Sequence, residues 1–184
     1  MLIKGKRIYL EPFGPTHLYD PAYYGWLRDI GVVRYIGRDE LLQGIPFEKA
    51  ESYVKQLWAN EYCNFLAVHH TKTGKFIGTA KVNFICAQGR KHGIADMGIM
   101  LGDKTFWGQG LATDILQAIS IFAFDQLHAR KLSAGAYSMN EAVVKAFLRI
   151  GYKIDGSLRQ HLAVGDDYCD HVLMSCFEHE LVRA

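Results

Sequence analysis

This chain lacks most of the features that would commit it to an unusual class. Only four cysteines, Cys63, Cys86, Cys169 and Cys176, stand among its 184 residues, and none are in CxxC spacing. They offer neither a disulfide framework nor a zinc-ribbon pattern, and read as free thiols in a reducing cytoplasm. The opening Met1-Leu2-Ile3-Lys4-Gly5-Lys6 does not follow the plan of a secretory leader. No apolar run approaches the ~18 residues that a bilayer-spanning helix needs, so no membrane partner is expected. Charge of one sign is missing too, since 21 Lys and Arg against 19 Asp and Glu leave a net charge of +2. That balance argues against broad nucleic-acid binding, which rests on a concentrated basic surface. His69 and His70 are adjacent on an apparent strand and point to opposite faces, so no metal site is expected from them.

What is present is ordinary globular composition, 49% hydrophobic and 22% charged. At this length one domain with a substantial core is expected, over residues 1–184. Arg7 to Glu11 alternates as a strand stopped by Pro12. Asp20 to Tyr35 reads as one or two short helices broken near Gly31. Phe47 to Trp58 carries Ala50, Tyr53, Val54, Leu57 and Trp58 at helical spacing, with Pro46 at its start. Asn64–His70 and Phe76–Ile85 form a hairpin around Thr71–Lys75. A polar loop near Gln88–His92 leads to a third strand, Ile94–Leu101. Leu111 to about Phe124 is a nearly all-apolar helix whose polar stripe is Thr113, Gln117 and Ser120. A strand over Lys131–Tyr137 precedes a helix over Glu141–Ile150, whose Val143, Val144, Phe147 and Leu148 face the core. Glu141 and Lys145 can pair across one turn, and Gly151 suits the position after the helix. Strands at Tyr152–Leu162 and Tyr168–Phe177 close the chain around a Gly165–Asp167 turn.

The most informative stretch is Gly98 to Thr113. It runs from an apolar strand through Trp107-Gly108-Gln109-Gly110 into the apolar helix. Glycines allow close backbone approach or positive φ, and a helix start presents unpaired N–H groups and a positive dipole end. Together these suit an anion, phosphate above all. No Gly-Lys-Ser/Thr follows, and the three-glycine dinucleotide spacing is missing, so the glycines alone leave a ligand-free turn as an equal alternative. A doubly wound nucleotide fold is disfavoured, because short hairpins rather than helical crossovers join the preceding strands.

With this order of elements in hand, the chain resembles the GNAT-type N-acetyltransferases, and among them the RimJ/RimL-like branch. Three patterns carry the likeness. Trp107-Gly108-Gln109-Gly110-Leu111-Ala112 fits the Q/R-x-x-G-x-G/A loop at Gly110 and Ala112, with Trp107 in place of Gln or Arg. Asn140 followed by Gly151-Tyr152 matches the N…GF/GY segment. Trp26-Leu27-Arg28-Asp29 with Val32 or Val33 and Tyr35 is similar to the branch's W-L-x-D-x-x-V segment. The resemblance implies a mixed, mostly antiparallel sheet of six to seven strands flanked by helices. It also implies acetyl-CoA as cosubstrate, no metal, a primary amine as acceptor, and a monomer or homodimer.

By the same resemblance, the amides of Gln109, Gly110, Leu111, Ala112 and Thr113 would hold the coenzyme pyrophosphate. The pantetheine arm would pair along Ile99-Met100-Leu101, facing Asn140 and Phe147, with an N–H near Met100 serving the oxyanion. Lys145 either reaches a coenzyme phosphate or is a solvated charge. Asp96, in Ala95-Asp96-Met97-Gly98, is the candidate to take the amine proton directly or through water. Phe147 stands where much of the superfamily has a proton-donating Tyr, which leaves Ser138, Tyr137 or water for the thiolate. Trp26, Asp29 and Tyr35, with Arg159, His161 and Tyr168 of the last hairpin, are candidates for the acceptor pocket. An α-amine with pKa ~8 is far more often unprotonated at pH 7 than a lysine near ~10.4, which favours N-termini and amino sugars. A non-catalytic acyl-CoA-binding or sensing module is the alternative function.

Overall fold

The computed structural model describes residues 1–183, and the side chain of Cys86 lies outside the described residues. The chain runs β1 (Ile3–Lys4), β2 (Ile8–Pro12), α1 (Pro15–Leu18), α2 (Pro21–Leu27), α3 (Ile30–Val33), α4 (Asp39–Leu42) and α5 (Phe47–Ala59). Then come β3 (Cys63–His70), β4 (Phe76–Asn83), α6 (Cys86–His92) and β5 (Ile94–Leu101). The last part is α7 (Leu111–Asp125), β6 (Lys131–Tyr137), α8 (Glu141–Arg149), β7 (Lys153–Val164) and β8 (Asp167–Phe177).

All strands join one eight-stranded sheet in the order β1-β2-β3-β4-β5-β6-β8-β7. Every neighbouring pair is antiparallel except β5 with β6, the pair joined through α7. The expected six to seven strands become eight because β1 is two residues long, too short to show alternation in sequence.

The strand alternation sorts side chains into two cores. Against one face lie α7 and α8, with Leu111, Ile115, Leu116 and Ile119 at most 2% exposed among residues such as Leu66, Val82 and Leu132. Against the other lie α1 to α5, with Leu18, Val33, Leu41 and Val54 packed on Ala67, Phe76 and Met100. Both layers follow from helical spacing of apolar residues against a two-sided sheet.

Several local expectations need correction. The break in the first helices falls at Arg28–Asp29, not Gly31, because the Asp29 carboxylate accepts the Gly31 N–H and starts α3 there. Gln88–His92 is not a loop but part of α6, ended by Gly93 at φ 65° with Arg90, Lys91 and His92 in its last turn. Leu148 is 40% exposed, while Ala146 takes the core position on α8. Ser120 is buried rather than on a polar stripe, and its hydroxyl shares a 3.0 Å hydrogen bond with that of Tyr152. Cys63, Cys169 and Cys176 are free thiols.

Candidate active site

The site begins where two strands part. β5 and β6 pair only at Ile94↔Lys131, Ala95↔Leu132 and Asp96↔Ser133, then both continue unpaired to Leu101 and Tyr137. Each strand has its other neighbour in register along this stretch, β4 for β5 and β8 for β6, so the sheet divides there into two paired halves. Main-chain N–H and C=O groups facing the gap are thereby left for a third, extended partner.

A cavity of 610 Å³ opens around this splay. Met97, Ile99, Asn140, Val143 and Phe147 line one side of it, and Tyr23, Tyr35, Tyr53, Arg38 and Phe65 the other. It therefore passes between the strands and reaches both faces of the sheet. That volume lies in the range of small-molecule sites.

Beside the gap, β5 ends in the glycine turn. Gly108 and Gly110 have φ of 73° and 74°, the left-handed region that side chains with a Cβ adopt at a cost. Gly110 is the N-cap of α7 and offers no side-chain cap, so the first N–H groups of that 15-residue helix are unpaired within it. The turn is braced by its own side chains. Trp107 Nε1 donates to the Leu101 carbonyl at 2.8 Å, and Gln109 Nε2 donates to Thr105 O at 2.8 Å. Trp107 thus does local structural work at the position where the family pattern has Gln or Arg.

Two charged residues there escaped the sequence reading. Arg7 Nε donates to Asp114 Oδ2 at 2.7 Å, and its Nη1 donates to the Gln109 carbonyl at 2.7 Å. Asp114 is 8% exposed in the first turns of α7. The bond to Asp114 raises the Arg7 pKa above its ordinary value. A carboxylate among the apolar residues of the helix's first turns was the available signal, since a buried charge needs a partner.

Asp96 sits at the closed end of the splay, half-buried on the cavity wall. Burial raises its carboxyl above the usual range, partly offset by Lys81 and by bonds from Met97 N–H and Ser133. Tyr35 and Asn140 also line the cavity. Phe147 does too, packed on Tyr152 with ring centroids 4.8 Å apart. Lys145 is exposed and held by Glu141 at 2.7 Å. Ser138 is outside the lining; its Oγ accepts the Asp170 N–H at 3.1 Å.

The remaining acceptor candidates are scattered. Trp26 is a core side chain packed over Gly102 and Phe76, and does not line the cavity. Asp29 caps α3 and binds Lys104 Nζ at 2.6 Å. That contact and the Gly31 bond hold its pKa down, with Lys104 the larger cause. Arg159 and Tyr168 are exposed on the last hairpin and away from the lining. His161 borders an adjoining recess together with Tyr35, Asp39, Tyr137 and His171.

An acetyltransferase (GNAT) domain model matches residues 7–153. The chain belongs to the GNAT acetyltransferase family. Comparison with curated proteins gives no match. Among solved structures, this GNAT chain is similar to the spermidine N-acetyltransferase of Vibrio cholerae in complex with CoA and spermine. The two are 15% identical with a TM-score of 0.83, over 95% of this chain and 97% of that one. It is also similar to Mycobacterium smegmatis RimJ in complex with CoA-disulfide, at 16% identity and TM-score 0.80, over 100% and 90% of the two chains. RimL, a ribosomal L7/L12 alpha-N-protein acetyltransferase in complex with coenzyme A, superposes at TM-score 0.81 with 17% identity, covering 96% and 98%. The resemblance read from the three motifs holds at the level of the family and the fold.

One cluster of the GNAT chain has metal-ligating residue types. Glu11 Oε1, His17 Nε2 and His69 Nε2 lie 3.2 Å from one another on β2, α1 and β3. The outer ring nitrogens decide what the cluster is. Gly14 N–H donates to His17 Nδ1 at 3.0 Å, so the neutral ring carries its proton on Nε2 and has no lone pair to offer there. His69 Nδ1 faces the Gly74 carbonyl at 3.2 Å and is the donor of that contact, leaving its Nε2 to accept from His17. The cluster is a hydrogen-bond relay that fastens α1 to the sheet. A metal on His17 would have to break its bond from Gly14.

Proposed function

We propose that the chain transfers the acetyl group of acetyl-CoA to a primary amine, by direct attack in a ternary complex. The observation that carries this reading is the cavity that crosses the sheet at the β5–β6 splay, next to the uncapped start of α7. A thioester carrier with a diphosphate at one end and an extended amide-bearing arm needs both features side by side. The amides of Gln109 to Thr113 would grip the diphosphate, and the free edge of Ile99-Met100-Leu101, with Asn140 opposite, would pair with the arm. Acetyl-CoA supplies the activated acyl group, and the chain supplies alignment, oxyanion stabilisation and proton movement.

The half of the cavity under α2 to α5 is the acceptor side. Its walls are aromatic, from Tyr23, Tyr35, Tyr53 and Phe65, with Arg38 stacked 3.8 Å over the Tyr53 ring. Among the described residues only two carboxylates reach the main cavity, Asp96 and Asp155. Asp155 is already bound to Lys131 and Ser175. Such a wall disfavours a polycation and supports a monoamine, either a protein N-terminal α-amine or a small amine such as an amino sugar. Asp96, whose raised pKa marks a confined carboxylate, would draw the ammonium toward the closed end of the splay. For the departing thiolate, Tyr137 is better supported than Ser138. It lines the cavity, and burial keeps its phenol protonated.

Titration calorimetry with acetyl-CoA, followed by free-thiol release with a panel of amines, tests the reading. Micromolar binding with turnover on monoamines is the expected result. Tight binding with no turnover on any amine would instead support a sensing module, and absence of binding would defeat both.

A further inference from the structure

Resting on that reading, we propose that His171 is the base that accepts the proton of the acceptor amine. The register places it there. Asp96 and Ser133 are the last paired residues of two parallel strands, so Gly98 and Gly135, each two residues further on, lie level across the open gap. Asp96 lies about two residues, ~7 Å, deeper than that level at the usual rise of a strand. His171 belongs to β8, facing Tyr137 in register, and its imidazole folds back over Gly135, where a Cβ would overlap Nε2. The absence of a side chain at Gly135 is what lets this ring lie at the gap.

The ring is free to do chemistry. Among the described residues neither of its nitrogens has a hydrogen-bond partner, and its only ring contact is a stack on His161 with centroids 5.9 Å apart. His171 borders both the main cavity and the adjoining recess. The groups facing it are His161 from β7, Tyr137 from β6, Tyr35 from the segment between α3 and α4, Asp39 from the start of α4, and Asp96 and Asp155 deeper in. Burial first, then the neighbouring His161, push the His171 pKa below its ordinary value, which keeps the ring neutral at pH 7.

The step balances without a co-reactant. His171 Nε2 takes one proton from the ammonium, and the freed lone pair attacks the thioester carbonyl. A C–N bond forms and the C–S bond breaks. Tyr137 gives its phenol proton to the thiolate and takes the second amine proton in return, and imidazolium releases its proton to solvent.

The test compares His171→Gln, Gly135→Ala, His161→Ala and Asp96→Asn by pH profile and by acetyl-CoA calorimetry. Wild-type kcat/KM should fall on the acid side of a pKa below ~6.5. H171Q should lose about a hundredfold or more in kcat, together with that acid limb, while acetyl-CoA affinity holds. Gly135→Ala, which displaces the ring without touching its chemistry, should lower kcat in the same way and covers the case of an unfolded H171Q. His161→Ala should move the limb upward by removing a like charge, and D96N should slow turnover with the limb in place. Wild-type rates in H171Q and Gly135→Ala, or a limb that disappears in D96N but not in H171Q, would overturn the assignment with the transferase reading intact. A wild-type chain without turnover on any amine would remove both.

Discussion

Gly110 joins two demands that no other residue meets. Its φ is 74°, and a Cβ would point toward Arg7 Nη2 at 3.4 Å, into the space above the α7 amides. Gly110→Val should therefore cost about 1–2 kcal/mol of stability from backbone strain. It should also weaken acetyl-CoA binding by about tenfold or more, read by calorimetry and thermal melting. Arg7 and Asp114 make an asymmetric pair, since the Arg side chain is 43% exposed and the Asp side chain 10%. Arg7→Ala strands a buried carboxylate, whereas Asp114→Asn leaves an arginine that water can reach. Denaturant unfolding should show the Arg7 variant to be the less stable by roughly 1–2 kcal/mol. Asp114 was visible as a charge among apolar neighbours, but its partner lies 107 positions away along the chain, on the strand-side entry to β2. Pairing over that distance has no local signal.

The elements that periodicity defines were the legible ones. The 3.6-residue pattern marked α5, a long and nearly all-apolar run marked α7, and β5 and β6 have the bounds read for them. α1 to α4 are four to seven residues each, less than two turns, so their caps rather than their periods set the boundaries. Asp20 and Asp29 do this for α2 and α3 by accepting the N–H of Ala22 and Gly31. α1 is held through His17 and its relay with His69 and Glu11. Burial first, then His69, lower the His17 pKa, so the folded protein resists the proton that the unfolded chain binds near pH 6.5. Stability present above pH 6.5 is therefore lost as pH falls below it. Melting temperatures between pH 7.5 and 5.5 should decline, and His17→Gln should reduce that slope. His171 contributes in the same direction, so the slope should shrink rather than vanish.

Taken together, the helices and the sheet create one place where a strand pair is left open, and the cofactor-sized cavity is its consequence. If acetyl-CoA occupies it, the native state alone gains binding energy. At a hundredfold excess over Kd the gain is about 2.7 kcal/mol, a rise of about 5–10 °C in Tm for a domain of this size. Differential scanning fluorimetry with acetyl-CoA, and with desulfo-CoA as a check on the thiol, measures it. A flat Tm at millimolar acetyl-CoA would contradict the assignment of the α7 amides. No helix among the described residues is long and apolar enough to cross a membrane.

Local chemistry carried the layered α/β architecture, the glycine turn, the helix that follows it and the family. Each of these rests on short runs of residues and on their order along the chain, where spacing reports geometry directly. The cavity's far wall rested on contacts that spacing does not encode. Trp26 and Tyr23, three residues apart on the same helix, both went to the core, but only Tyr23 also forms part of the cavity wall. His171 looked like one more strand residue until Gly135, 36 positions earlier, made room for its ring across the β6–β8 ladder. Which side chains meet at a site depends on strand order and register, and those are fixed by burying two faces of one sheet at once.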